Sequence, residues 1–221
     1  MKWLVWQLGD SAFPVGGFAH SAGLEAAVQL GEVEDEAQLR RFLRDALWQA
    51  GHGSLPLVGA AHDDPQRLAE LDALCDAFLT GAVANRASRT QGRALLSTCS
   101  RAFAGAAAQL DSLSARCRAL GLCMHQAPLW GVITSVLGVG RQDAEQLFLH
   151  LTLRSLLSAA IRLGLLGPLQ AQHEQFQLSA TLQEVQTRCS QIAAEDVVQT
   201  APLIELFQSA HDRLYSRLFL S

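Results

Sequence analysis

The sequence predicts an all-α fold, a single compact bundle of about eight to ten helices spanning residues 1–221, and three observations predict it. Leu and Ala, 38 and 34 residues, supply about a third of the 221 positions, and both are strong helix formers. Apolar residues recur at helical spacing along most of the chain, and no segment alternates with period two. A composition of 49% hydrophobic and 17% charged residues belongs to a chain that buries a core, not to a disordered one.

The elements follow in order. Leu39, Phe42, Leu43, Ala46 and Leu47 form one amphipathic face, opened by Asp35 with Gln38 three residues on, a capping box. Asp64-Pro65 repeats the start signal ahead of Leu68, Leu71, Leu74, Cys75 and Phe78, with Gly81 marking the end. A helix over 84–103 carries Leu95, Leu96, Cys99 and Phe103 on one side and stops at Gly105. Residues 119–140 hold no charge and are long enough to cross a bilayer. His125, Gln126, Pro128 and four Gly within them predict instead a loop followed by a buried helix. The helix over 142–166 is apolar around most of its circumference and is the predicted centre of the bundle. After Gly167-Pro168 the pattern predicts a Gln-rich helix to about Ala194, then a last one opened by Pro202 with Leu203, Leu206, Ala210 and Leu214 as its stripe. No repeat emerges and no Pro/Ser-rich linker divides the chain.

Charge and motif inventory exclude several functions. The net charge is −4, and the basic residues are 16 Arg and the single Lys2, spread without a run of three, so no phosphate-binding face for nucleic acid is indicated. One Lys beside the first Met leaves no lysine for a P-loop or a Schiff base elsewhere. Gly16-Gly17 is followed by Phe18-Ala19-His20 and matches no nucleotide cradle. The seven His and the five Cys (75, 99, 117, 123 and 189) show no zinc spacing, and no GxSxG is present. The expectation is therefore no catalytic residue, no cofactor and no metal-ligand set. Five cysteines without CxxC read as buried reduced thiols, which suits the cytoplasm, and no secretory signal is visible.

Two segments exceed what a bundle needs. Residues 10–25 pack Phe13, Pro14, Gly16, Gly17, Phe18, His20, Ser21 and Glu25 into a Pro/Gly turn that leads into a helix. Its two Phe either plug the core or form an aromatic anchor for a partner. Residues 211–221 hold His211, Tyr215 (the only Tyr), Ser216, Arg217, Leu218 and Phe219, an apolar tip between arginines. This tail either docks on its own bundle or orders on another protein.

With these residues quoted, the chain resembles the urease accessory protein UreF family. The likeness rests on Phe13-Pro14-Val15-Gly16-Gly17-Phe18-Ala19-His20-Ser21 through Gly23-Leu24-Glu25. It rests equally on the ending His211-Asp212-Arg213-Leu214-Tyr215-Ser216-Arg217-Leu218-Phe219-Leu220-Ser221. Gln91-Gly92-Arg93-Ala94-Leu95-Leu96 and Ala159-Ala160-Ile161-Arg162-Leu163 fall between them in the family's order. The resemblance implies an all-α homodimer without catalysis of its own. It would bridge the scaffold UreD (UreH) and the GTPase UreG while nickel is delivered to the urease apoprotein. By position, residues 215–219 would engage UreD, the Phe18 turn would lie near the dimer and UreG-facing surface, and Arg162 would sit at the basic position that handles UreG. Relatives often carry Tyr where Phe18 stands.

Two other readings accompany the adaptor. Arg162 could act on UreG turnover by stabilising transferred-phosphate charge, as an arginine finger does, or it could simply close a helix C-terminus near Gly164 and Gly167. A weak nickel carrier would use His20 with other His or Cys brought together by folding or dimerisation.

Overall fold

The structure is a computed structural model that describes residues 2–14 and 19–220. Among these residues it contains twelve α-helices joined by short turns, and no strand. They are α1 (Lys2–Leu8), α2 (Leu24–Gln29), α3 (Glu36–Gly53), α4 (Leu55–Asp63), α5 (Leu68–Phe78), α6 (Ala82–Ala102), α7 (Ala107–Ala119), α8 (Gln126–Val136), α9 (Arg141–Arg162), α10 (Pro168–Gln177), α11 (Ser179–Cys189) and α12 (Pro202–Ala210). The all-α expectation holds. The count exceeds eight to ten because breaks occur where the hydrophobic pattern runs on.

One such break has a visible cause. Pro56 has no N–H to offer the carbonyl four residues back, so α3 stops at Gly53 and α4 starts at Leu55. The carbonyl left over, that of His52, accepts from the Val198 N–H at 3.3 Å. The Gln-rich stretch likewise divides, with the fully buried Leu178 standing between α10 and α11. At the start of α3 the capping box forms as the sequence indicates: Gln38 N–H donates to Asp35 Oδ1 at 2.8 Å, and Asp35 N–H donates to Gln38 Oε1 at 3.1 Å.

The long helix α9 is the centre, packed against α1, α2, α3, α4, α8, α10 and α11. Its Leu147, Phe148, Leu153, Leu156, Leu157 and Ala160 belong to a continuous core that reaches from Leu8 to Phe219. The chargeless stretch resolves into a turn and the 11-residue α8, which lies buried against α4. Backbones approach closely there: a Cβ on Gly131 would stand 2.3 Å from the Val58 carbonyl oxygen. Among the described residues, no helix is long and apolar enough to cross a membrane.

One face is turned the other way from the sequence expectation. Leu203 and Leu206 of α12 are exposed, while Ile204 is buried and Phe207 tilts onto Phe42 with ring centroids 6.5 Å apart. The helix has two apolar edges, and its docking on α2 and α6 selects the Ile204 edge. Cys75, Cys99, Cys117 and Cys189 are buried free thiols and Cys123 is half-buried. Burial pushes the Cys99 thiol up to about 12, so it is protonated and unreactive at neutral pH.

Candidate functional site

The two segments singled out in the sequence meet. Glu25, in the first turn of α2, is buried and accepts from both ends of the tail. His211 Nε2 lies 3.0 Å from Glu25 Oε2, and the Leu218 N–H donates to Glu25 Oε1 at 2.6 Å. A carboxylate only accepts, so His211 carries its proton on Nε2. Among the described residues its Nδ1, also buried, has no hydrogen-bond partner.

Further bonds lay the tail along the amino-terminal segment. The Leu220 N–H donates to the Ala19 carbonyl at 2.8 Å, and Gln29 Nε2 donates to the Ser216 carbonyl at 2.9 Å. Asp212 receives Arg86 at 2.9 and 3.0 Å and Arg217 at 3.5 Å. From the C-terminal end of α9, the Arg162 guanidinium stands 4.1 Å over the centre of the Phe219 ring and donates to the Leu218 carbonyl at 3.0 Å. Such a cation over a ring contributes about 0.5–2 kcal/mol, depending on how dry it is.

This geometry corrects part of the anchor expectation. Phe13 and Phe219 are 8% and 5% exposed, so both rings fill the chain's own interior. Phe13 stacks on Phe103 with centroids 5.8 Å apart, and the Pro14 carbonyl beside it accepts from Thr98 Oγ1 at 2.8 Å. Ser21, Glu25 and His211 are buried too and hold the junction from within. Gly16, Gly17 and Phe18 lie outside the described residues. His20 is half-buried, and burial with His211 nearby lowers its pKa below the usual histidine value, so the ring is neutral at pH 7.

What the tail offers outward is Tyr215, Leu218 and Leu220, with the exposed Ser216 and Arg217 between them. Tyr215 is fully exposed. Buried Phe219 is the pin, and its neighbours on either side form the ridge. A second exposed apolar feature escaped the sequence reading: Trp3 and Trp6 on α1, edge to face at 5.0 Å. Their i, i+3 spacing was the available signal. The junction itself gathers no metal-ligand cluster among the described residues. One such cluster forms from other elements, at Asp76, Cys123 and His125.

Fold and site together define an all-helical protein whose C-terminal tail is bonded to the segment around α2 and presents an apolar ridge. Comparison with known proteins places it more narrowly. A family model described as UreF matches residues 33–179. Urease accessory protein F of Oryza sativa subsp. indica is 35% identical over 219 residues, covering 98% of this chain and 84% of the relative. The Arabidopsis thaliana protein of the same name is 34% identical, covering 100% and 93%. Urease accessory protein UreF of Trichodesmium erythraeum is 32% identical, covering 96% and 94%. The chain belongs to the UreF family of urease accessory proteins.

Proposed function

We propose that this protein is a cytoplasmic adaptor in urease maturation. It works as a homodimer that bridges UreD (UreH) and UreG, so that nickel reaches the urease apoprotein, and it catalyses no reaction itself. The observation that carries this reading is the ridge of Tyr215, Leu218 and Leu220, turned outward on a tail pinned by Phe219 and Glu25. Holding a tail in one conformation before binding removes much of the ordering cost that a free terminus would incur on association. An exposed Tyr flanked by Leu and Arg has the residue types that dominate interface energies.

Arg162 then contributes indirectly. Its guanidinium faces Phe219 and the Leu218 carbonyl, so it shapes the UreD-facing ridge instead of reaching for a phosphate on UreG. The test is assembly: purified protein mixed with UreD and UreG is read by light scattering coupled to size exclusion. The reading predicts a complex that contains two copies of this chain and both partners, whereas a chain that elutes alone from both contradicts it.

A further inference from the structure

The turn between α7 and α8 brings Cys123 and His125 against Asp76 of α5. One ligand atom from each lies within 4.8 Å of the others. His125 Nε2 is 3.0 Å from Asp76 Oδ1, close to the separation of two donors sharing one tetrahedral ion. The other ring nitrogen, Nδ1, is 3.1 Å from Ser88 Oγ on α6, which fixes the plane of a ring that is fully buried. Ligating histidines are oriented in this way by a partner on their second nitrogen. The Asp76 side chain is 42% exposed and leaves a way in from solvent.

The backbone is constrained to produce this arrangement. Met124, between the two ligands, has φ of +68°, a left-handed conformation that costs a non-glycine residue about 1 kcal/mol or more. The buried Asp72 carboxylate holds it there, accepting from the N–H groups of Cys123, Met124 and His125 at 2.7, 3.2 and 2.7 Å. Gly92 of α6 makes room for it, since a Cβ there would stand 2.1 Å from the Met124 carbonyl oxygen. Asn85 Nδ2 (2.8 Å) and His125 Nε2 both reach Asp76 Oδ1, and a carboxylate carries further lone pairs that an ion could take.

We propose that Asp76, Cys123 and His125 form a binding site for a divalent transition-metal ion of borderline softness, the class of nickel(II), zinc(II) and cobalt(II). A thiolate with an imidazole disfavours magnesium and calcium, which take oxygen donors. On binding, the ion displaces the proton of the Cys123 thiol to solvent, and the single ring proton of His125 moves from Nε2 to Nδ1, where it donates to Ser88 Oγ, so that a neutral imidazole ligates through Nε2. The fourth position remains open on the Asp76 side, as in exchangeable sites. The site needs no other protein, so its failure would leave the adaptor reading standing, and failed assembly with UreD would leave the site standing.

Cobalt(II) titrated into the full-length protein, reduced with a phosphine, is the direct test. The expected result is one equivalent bound with a sulfur-to-cobalt charge-transfer band. Cys123→Ser and Asp76→Asn should lose that band, Ser88→Ala should weaken binding by about 10–100-fold, and Cys189→Ala should leave it unchanged. Circular dichroism checks that each variant is folded. The unaltered protein gives a second readout: one equivalent of nickel or cobalt should slow alkylation at Cys123, located by peptide mass. A band that survives in Cys123→Ser, no band at all, or alkylation indifferent to metal would overturn the site.

Discussion

Glu25 and His211, 186 positions apart, form a fully buried pair at 3.0 Å, and the same carboxylate accepts the Leu218 N–H. One side chain from the beginning of the chain thus determines where its end lies. Replacing Glu25 with Ala strands a buried imidazole and an amide together, so stability should fall by about 2–4 kcal/mol. Hydrogen exchange should show the Leu218 and Leu220 amides losing protection while α9 keeps its own. Unchanged protection at those two amides would mean that the carboxylate does not hold the tail.

Arg162 holds the tail from the opposite side. Arg162→Ala removes the cation from the Phe219 ring and a donor from the Leu218 carbonyl, which should cost about 1–2 kcal/mol in urea unfolding. Lys at this position should recover only part of that, because an ammonium lacks the planar fork that serves ring and carbonyl together. The rate of UreG turnover per assembled complex should be unaffected by Arg162→Ala, and a loss there would reinstate a direct role for Arg162.

Gly92 and Gly140 are a matched comparison. A Cβ at Gly92 would stand 2.1 Å from the Met124 carbonyl oxygen, whereas one at Gly140 meets nothing within 4 Å, at an ordinary φ of −64°. Gly92→Ala should therefore destabilise by about 3 kcal/mol or more, through overpacking against backbone. Gly140 is the N-cap of α9, where Ala is a poorer residue than Gly, so Gly140→Ala should cost no more than about 1 kcal/mol. Thermal melting of the two variants side by side checks this, and equal melting temperatures would refute the close contact of α6 with the turn before α8.

The buried Glu174 of α10 takes Arg40 Nε at 2.8 Å, and its hydrogen bond and attraction to that guanidinium hold its pKa below the ordinary carboxylate value. A lowered folded-state pKa gives stability that is present above the unfolded value, near 4.5, and is lost as pH falls through the folded one. Arg40 is 39% exposed, so solvent screening limits the pair's contribution to about 1 kcal/mol. Glu174→Gln should be less stable than the parent at pH 7, and the gap should close below pH 4.5. A gap that stays constant across that range would show that the attraction contributes nothing.

Much of the fold could be read locally. The capping box of Asp35 and Gln38, the burial of α8 and the centrality of α9 follow from spacing within one segment. The inward edge of α12 could not be read, because both Ile204 and Leu203 lie at helical spacing and only the neighbours α2 and α6 decide between them. For the site, both segments stood out by composition, yet nothing local indicates that Glu25 meets His211. An aromatic ring in a tail is equally suited to an interior and to an interface, and Phe219 and Tyr215, four residues apart, take opposite fates. The Asp76–His125 pairing, 49 positions apart, is a tertiary contact of the same kind.

The outward ridge is tested most directly by the affinity for UreD of a Tyr215→Ala, Leu218→Ala protein, measured beside the parent by calorimetry. Both side chains are exposed, so the double variant should melt within about 1 °C of the parent, as surface substitutions do. The account predicts affinity lower by at least about a hundredfold, the scale of two interface anchors. Binding to UreD at parental strength, with the fold intact, would contradict it.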